Sequence, residues 1–158
     1  MHLPNQLAKH FREVILGGNW TTSNLKDNLE GINKAQATHK ISDYNTIASL
    51  VFHINYYIEA LTKVLNGGPL TANDKYSFDL PEIKTEEDWL KLKEKLFTDS
   101  EEFANLVEKM PESRIWEYVS EEKYGTFYKN IHGIIEHTHY HLGQIVIIKK
   151  RVLESASN

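Results

Sequence analysis

The chain has 158 residues, 41% of them hydrophobic and 25% charged, with 18 Lys+Arg against 22 Asp+Glu and no Cys. These proportions fit a folded domain long enough to bury a core unaided, and argue against disorder and against a basic nucleic-acid binder. The missing Cys excludes disulfides, zinc ribbons, iron–sulfur clusters and a Cys nucleophile, and is compatible with a reducing compartment.

The N-terminal run from Met1 to Gln6 shows no basic stretch followed by an apolar one, and no apolar run approaches the roughly 20 residues that span a bilayer. The expectation is one cytoplasmic domain over residues 1–158, without a membrane segment. A first helix is predicted from about Pro4 to Leu16, with Pro4 suited to a first turn and Gly17-Gly18 ending the pattern. A second helical piece runs from about Ser23 to Ile32, with Leu25, Leu29 and Ile32 on one side; one bent helix or two separate ones would both fit. Residues 33–42 are polar and read as a loop. A long helix follows from about Tyr44 to Leu65. Ile47, Leu50, Val51, Ile54, Ile58, Leu61 and Leu65 recur there at three- and four-residue spacings, the mark of a face turned to a core. Asn66-Gly67-Gly68-Pro69 stops it.

Residues 70–84 carry no period and read as a long crossing loop. Thr85-Glu86-Glu87-Asp88 resembles a capping box with Asp in place of Glu. It opens a helix carrying Trp89, Leu92, Leu96, Phe103, Leu106 and Val107, which ends before Pro111. A last helix is predicted from about Lys123 to Leu153, with Phe127, Ile131, Ile134, Ile145, Ile148 and Val152 on its stripe. Lys149-Lys150-Arg151 near its end complements the helix dipole. No segment alternates strictly, so the expected class is all-α. Four main helices with a long connection between the second and third predict a four-helix bundle, up-down-down-up, with a plain antiparallel bundle as the alternative.

Eight His are the unusual number in the composition. His2, His10 and His39 read as solvated surface groups. The last helix carries four more, at His132, His137, His139 and His141. Advancing about 100° per residue from His137, His141 falls roughly 40° away, whereas His132 and His139 fall roughly 220° and 200° away. His137 and His141 therefore share the apolar stripe with Ile134, Ile145 and Ile148, and the other two face outward. An inward i, i+4 pair of imidazoles can chelate one metal ion but needs a third ligand. His53, beside the apolar stripe of the second long helix, is the best candidate; the plain alternative is a hydrogen-bonded core His. Three neutral imidazoles leave coordination positions open, as catalytic sites do. Glu136, Gln144, Tyr57 or a backbone carbonyl are the available outer acceptors for the ligand N–H groups.

At these residues the chain resembles the DinB-like family of four-helix metalloenzymes. The segment from Asn45 to Ile54, ending in His53, is similar to the family's second-helix ligand segment. The run Ile134-Ile135-Glu136-His137-Thr138-His139-Tyr140-His141-Leu142-Gly143-Gln144-Ile145 is similar to its last-helix segment, with two His four apart followed by Gly-Gln-Ile. Trp20 after a Gly-rich break and the loop after Gly67-Gly68-Pro69 fit as well, so the resemblance covers essentially the whole chain. It implies the up-down-down-up bundle, metal ligation by His53, His137 and His141, zinc or nickel as the ion, and a homodimer. Relatives of this kind include transferases and isomerases that use low-molecular-weight thiols, and damage-inducible proteins without an assigned reaction.

A metal held this way would act as a Lewis acid on a thiol or a water. The expected function is a metal-dependent transfer or hydrolysis on a small-molecule substrate, with thiol S-transfer favoured by the resemblance and the thiol supplied from outside. The alternative is a non-catalytic metal-binding stress-response protein. Tyr57, one turn after His53, is a candidate catalytic donor, with simple packing as its other reading. Glu136 falls roughly 100° from the ligand pair and reads as a surface charge, which leaves the general base unnamed. Asn19, Trp20 and residues 70–80, with Tyr76 and Phe78, are candidates for a substrate mouth. Phosphate-binding glycine loops are absent, and no nucleic-acid partner is expected at a net charge of -4.

Overall fold

The computed structural model describes residues 2–156, so Met1, Ser157 and Asn158 of the expected 1–158 domain lie outside the described residues. The fold is all-helical. Helix α1 (Leu3–Leu16) has Pro4 in its first turn and stops at Gly17, whose φ of 114° few side chains tolerate. Helix α2 (Leu25–Leu29) is capped by Asn24 and separate from α1, which settles the choice between one bent helix and two. The predicted loop over residues 33–42 contains a short helix, α3 (Lys34–Ala37). Asn33 and Gln36 there close a reciprocal capping box, a local signal strong enough to order one turn.

Helix α4 (Ile47–Leu65) starts later than Tyr44, because Thr46 caps it by accepting from the Ser49 N–H. Its end is a Schellman-type turn. The Gly68 N–H donates to Lys63 O, and Gly67 takes the left-handed φ of 84° that the turn requires. One turn of 3-10 helix, Asp74–Tyr76, interrupts the long loop that follows. Helix α5 (Glu86–Glu108) begins at the expected Thr85/Asp88 box. Two further 3-10 turns lead into α6 (Phe127–Ala156). The last helix starts four residues after the predicted Lys123, because Gly125 breaks the chain with φ 82°. Among the described residues no strand forms; Tyr118 and Thr126 make one isolated bridge.

The four long helices pack by alternation: α1 and α4 each lie against both α5 and α6. Every residue of the expected α4 stripe is buried, as are all six on α6. On α5, Leu92 and Leu106 are only half-buried, at the margin of the stripe. Phe11 of α1 meets Phe103 of α5 edge-to-face, with ring centroids 4.8 Å apart. Each such fully buried large side chain contributes about 1.5–3 kcal/mol, and together they hold α4 and α6 in the register that brings their polar residues face to face. None of the helices is long and apolar enough to cross a membrane.

Candidate metal centre

His53 and His141 are buried and His137 half-buried, and the three offer ring nitrogens that all lie within 4.8 Å of one another. His53 comes from the middle of α4, and His137 and His141 from successive turns of α6. The wheel position thus separates the run as expected. His132 faces out and pairs through Nδ1 with Glu136 at 3.2 Å. His139 is turned toward the His10 ring at 6.2 Å. His2 reaches Glu112, and His39 is exposed.

Two of the three imidazoles are held in a defined tautomer. A carbonyl oxygen can only accept, so His53 donates its Nδ1–H to Ser77 O at 3.2 Å, and His141 donates its Nδ1–H to Gln144 Oε1 at 2.8 Å. Both therefore present bare Nε2 lone pairs. Of the four acceptors the sequence offered, a backbone carbonyl and Gln144 serve, and Glu136 does not. His137 Nε2 stands 3.0 Å from His53 Nε2, and His137 Nδ1 is buried without a partner. In the metal-free protein His137 must place a proton between the two Nε2 atoms, which leaves its Nδ1 an orphaned buried acceptor. A cation among the three rings removes the need for that proton. Two nitrogens bound tetrahedrally to one ion at about 2.0–2.1 Å sit roughly 3.3–3.4 Å apart, so His53 and His137 need to part by only a few tenths of an ångström to share a metal.

Aromatic rings fix the imidazoles in place. Phe78 stacks on His53 with centroids 3.9 Å apart and planes 10° from parallel. Tyr57 stands edge-on to both His53 and His137. Phe78 thus packs on a candidate ligand but is not part of the cleft lining that the sequence suggested for it. Asn19, Trp20 and Tyr76 do not line the cleft. Asn19 instead is buried and ties its own loop, donating to Glu13 O and Ser23 O.

The cleft beside the rings has a volume of about 520 Å³ and is lined by His53, Tyr57, Asp74, Lys129, Gly133 and His137 among others. The sequence reading missed Asp74. Its carboxylate accepts a short hydrogen bond from the Tyr57 hydroxyl and a longer one, 3.4 Å, from Ser77 Oγ. Burial, then the bond to Asp74, pushes the Tyr57 hydroxyl up to about 12, while the Tyr57 bond holds Asp74 below the usual carboxylate range. The loop itself is pinned to α4 because Tyr56 Oη donates to Asn73 O and accepts from the Asn73 N–H, both at 2.9 Å. Asn73 begins the turn by accepting from the Lys75 N–H, an Asx-type signal that marks a turn but not where the turn docks.

Burial lowers the pKa of all three imidazoles, and His137, also facing His141 and His53, is pushed down to about 4. The folded state keeps these rings neutral where an unfolded chain protonates them. The unfolded state then binds more protons between about pH 6.5 and pH 4, so stability is full above that window and falls as pH drops through it. Urea midpoints of the metal-free protein are expected to fall from pH 7 to pH 5, and to fall less in His137→Gln. Equal pH slopes in the two proteins would contradict this account of His137.

No family model, curated protein or solved structure matches the chain.

Proposed function

We propose that the protein is a metal-dependent enzyme of the DinB-like kind. In this reading His53, His137 and His141 hold one zinc or nickel ion beside a cleft that receives a small-molecule substrate. The carrying observation is the convergence of three imidazoles from two helices, two of them locked by carbonyl acceptors, at the edge of an open cleft. Neutral imidazoles suit both ions. A three-imidazole set beside an open cleft favours catalysis over a non-catalytic stress-response role, where the ion would sit in a closed site. The alternation of α1 and α4 with α5 and α6, and the long connection from α4 to α5, support an up-down-down-up four-helix bundle.

When bound, the ion would supply Lewis acidity that favours the anionic form of a thiol or water. In this reading Asp74, kept ionised by the hydrogen bond from Tyr57, would accept the proton that the nucleophile loses. Tyr57 and Ser77 both bond to its Oδ1, which leaves Oδ2 as the free acceptor. The nucleophile's electron pair would form the new bond to an electrophilic carbon while the bond from that carbon to the leaving group breaks, its electron pair departing with the group, which then takes the proton from Asp74. Tyr57 is then a positioning residue for Asp74, since its own proton is committed there. A thiol nucleophile has to come from outside the chain, which has no Cys. Thiol S-transfer stands ahead of hydrolysis by family resemblance, and the same resemblance brings a homodimer into the reading.

The test is elemental analysis of protein purified without a His-tag or chelator, beside His53→Ala. About one zinc or nickel per chain, lost in the variant, is the expected result. No metal in either protein, even after reconstitution, overturns the reading.

A further inference from the structure

Lys129, in the first turn of α6, lines the same cleft as the three histidines and supplies its only Lys or Arg side chain. Lys91, Lys95 and Lys123 reach a carboxylate, whereas exposed lysines such as Lys26, Lys40 and Lys150 reach none among the described residues, and Lys129, also exposed, differs from these in lining the cleft. The Lys129 ammonium has no ion-pair or hydrogen-bond partner among the described residues, although its backbone N–H is capped by Thr126. Its stem folds over Gly125, where an added Cβ would fall 2.7 Å from Lys129 Cδ. The glycine that turns the chain into α6 thus also makes room for this side chain.

Four and eight residues on from Lys129 come Gly133 and His137, then His141. Side chains at this spacing stack along one helix face, and all four residues line the cleft. Gly133 is a mid-helix glycine with an entropic cost and no steric need, for a Cβ built there meets nothing within 4 Å. It leaves a flat stretch between the ammonium and the imidazoles. Lys129 and His137 lie two helical turns apart, about 12 Å along the axis. Asp74 stands with the histidines, so the cleft carries a cation toward one end and a carboxylate toward the other.

We propose that the cleft binds an elongated carboxylate-bearing ligand, with its carboxylate on Lys129, its body across Gly133, and its reactive, protic end at the three histidines. Lys129 is the one cation in the cleft lining, which matches the single negative charge of a carboxylate rather than the nearly double charge of a phosphate monoester. The reactive end of this assignment rests on the metal-enzyme reading; the Lys129 end does not. The charge order also sets direction, since a ligand turned end for end would bring its carboxylate against Asp74.

The probes are 6-mercaptohexanoate and 6-mercaptohexanol, titrated by calorimetry into zinc-loaded protein. The acid is expected to bind about fivefold tighter than the alcohol, with the margin shrinking at high salt. Lys129→Gln is expected to erase the margin and leave the alcohol's Kd unchanged. Gly133→Ala should raise Tm, because alanine favours the helix, yet weaken both thiols by placing a methyl on the cleft floor. Gly143→Ala, with equal free space but outside the cleft lining, should raise Tm and leave both Kd values alone. Equal binding of acid and alcohol by the unmodified protein, or a preference that survives Lys129→Gln, overturns the assignment and leaves the enzyme reading standing. Binding of neither thiol by zinc-loaded protein overturns both.

Discussion

His137→Ala is expected to abolish stoichiometric metal binding, while His139→Ala, two residues along the same helix, retains it. The two imidazoles differ in where the helix turns them. His137 has its Nε2 3.0 Å from His53 Nε2, and His139 faces His10 on the other side of α6. Loss of an outer partner of a metal ligand typically costs 10–100-fold in affinity, so removing a ligand itself should cost more than about a hundredfold. Metal content after dialysis, measured on both variants, checks this. Metal lost from His139→Ala and kept by His137→Ala would show that the site has been placed on the wrong face of the helix. Far-UV circular dichroism and urea midpoints of the metal-free variants exclude unfolding as the cause.

The largest effect on stability is expected at Trp89. Its indole is fully buried, and Nε1–H donates to Ile32 O at 2.7 Å, tying the start of α5 to the segment after α2. Trp89→Ala should destabilise the protein by about 3–5 kcal/mol, lowering Tm by roughly 10 °C. Trp89→Phe keeps much of the apolar area but leaves the Ile32 carbonyl buried without a donor, for about 1–3 kcal/mol. Trp20→Ala is the contrast. That side chain is 97% exposed, and its removal should stay within about 0.5 kcal/mol. Urea unfolding of the three variants gives the ranking, and a Trp89→Ala midpoint near that of the unmodified protein would contradict the packing described for α5.

The two tryptophans also show how far local sequence carries. Trp89 follows a capping box and sits on a helical stripe, so both its element and its burial were legible from spacing. Trp20 lies between Gly-rich and Thr-rich residues, with no period to orient it. Its placement away from the cleft came from the buried Asn19, which ties that loop to α1 and Ser23. The same contrast holds within the site. His137 and His141 were separable from His132 and His139 because a helix converts residue number into direction. His53 was the expected third ligand because it flanked a stripe of known period. Asp74, Ser77 and Phe78 had no such ruler. The Asn73 turn announced a bend, while the docking of that bend depends on Tyr56, Tyr57 and His53, which lie far back in the chain.

The helical class, the stripes that build the core and the inward turn of two imidazoles on α6 follow from residue order alone. Periodicity and caps are local properties, written within a few residues of where they act. Packing set the rest: the return of loop 70–84 over α4, the tautomers of His53 and His141, and the separation of Asp74 and Lys129 within one cleft. Those outcomes are contacts between distant segments. Their free energy comes from burial and hydrogen bonding that exist once α4 and α6 have packed, so no local pattern encodes them.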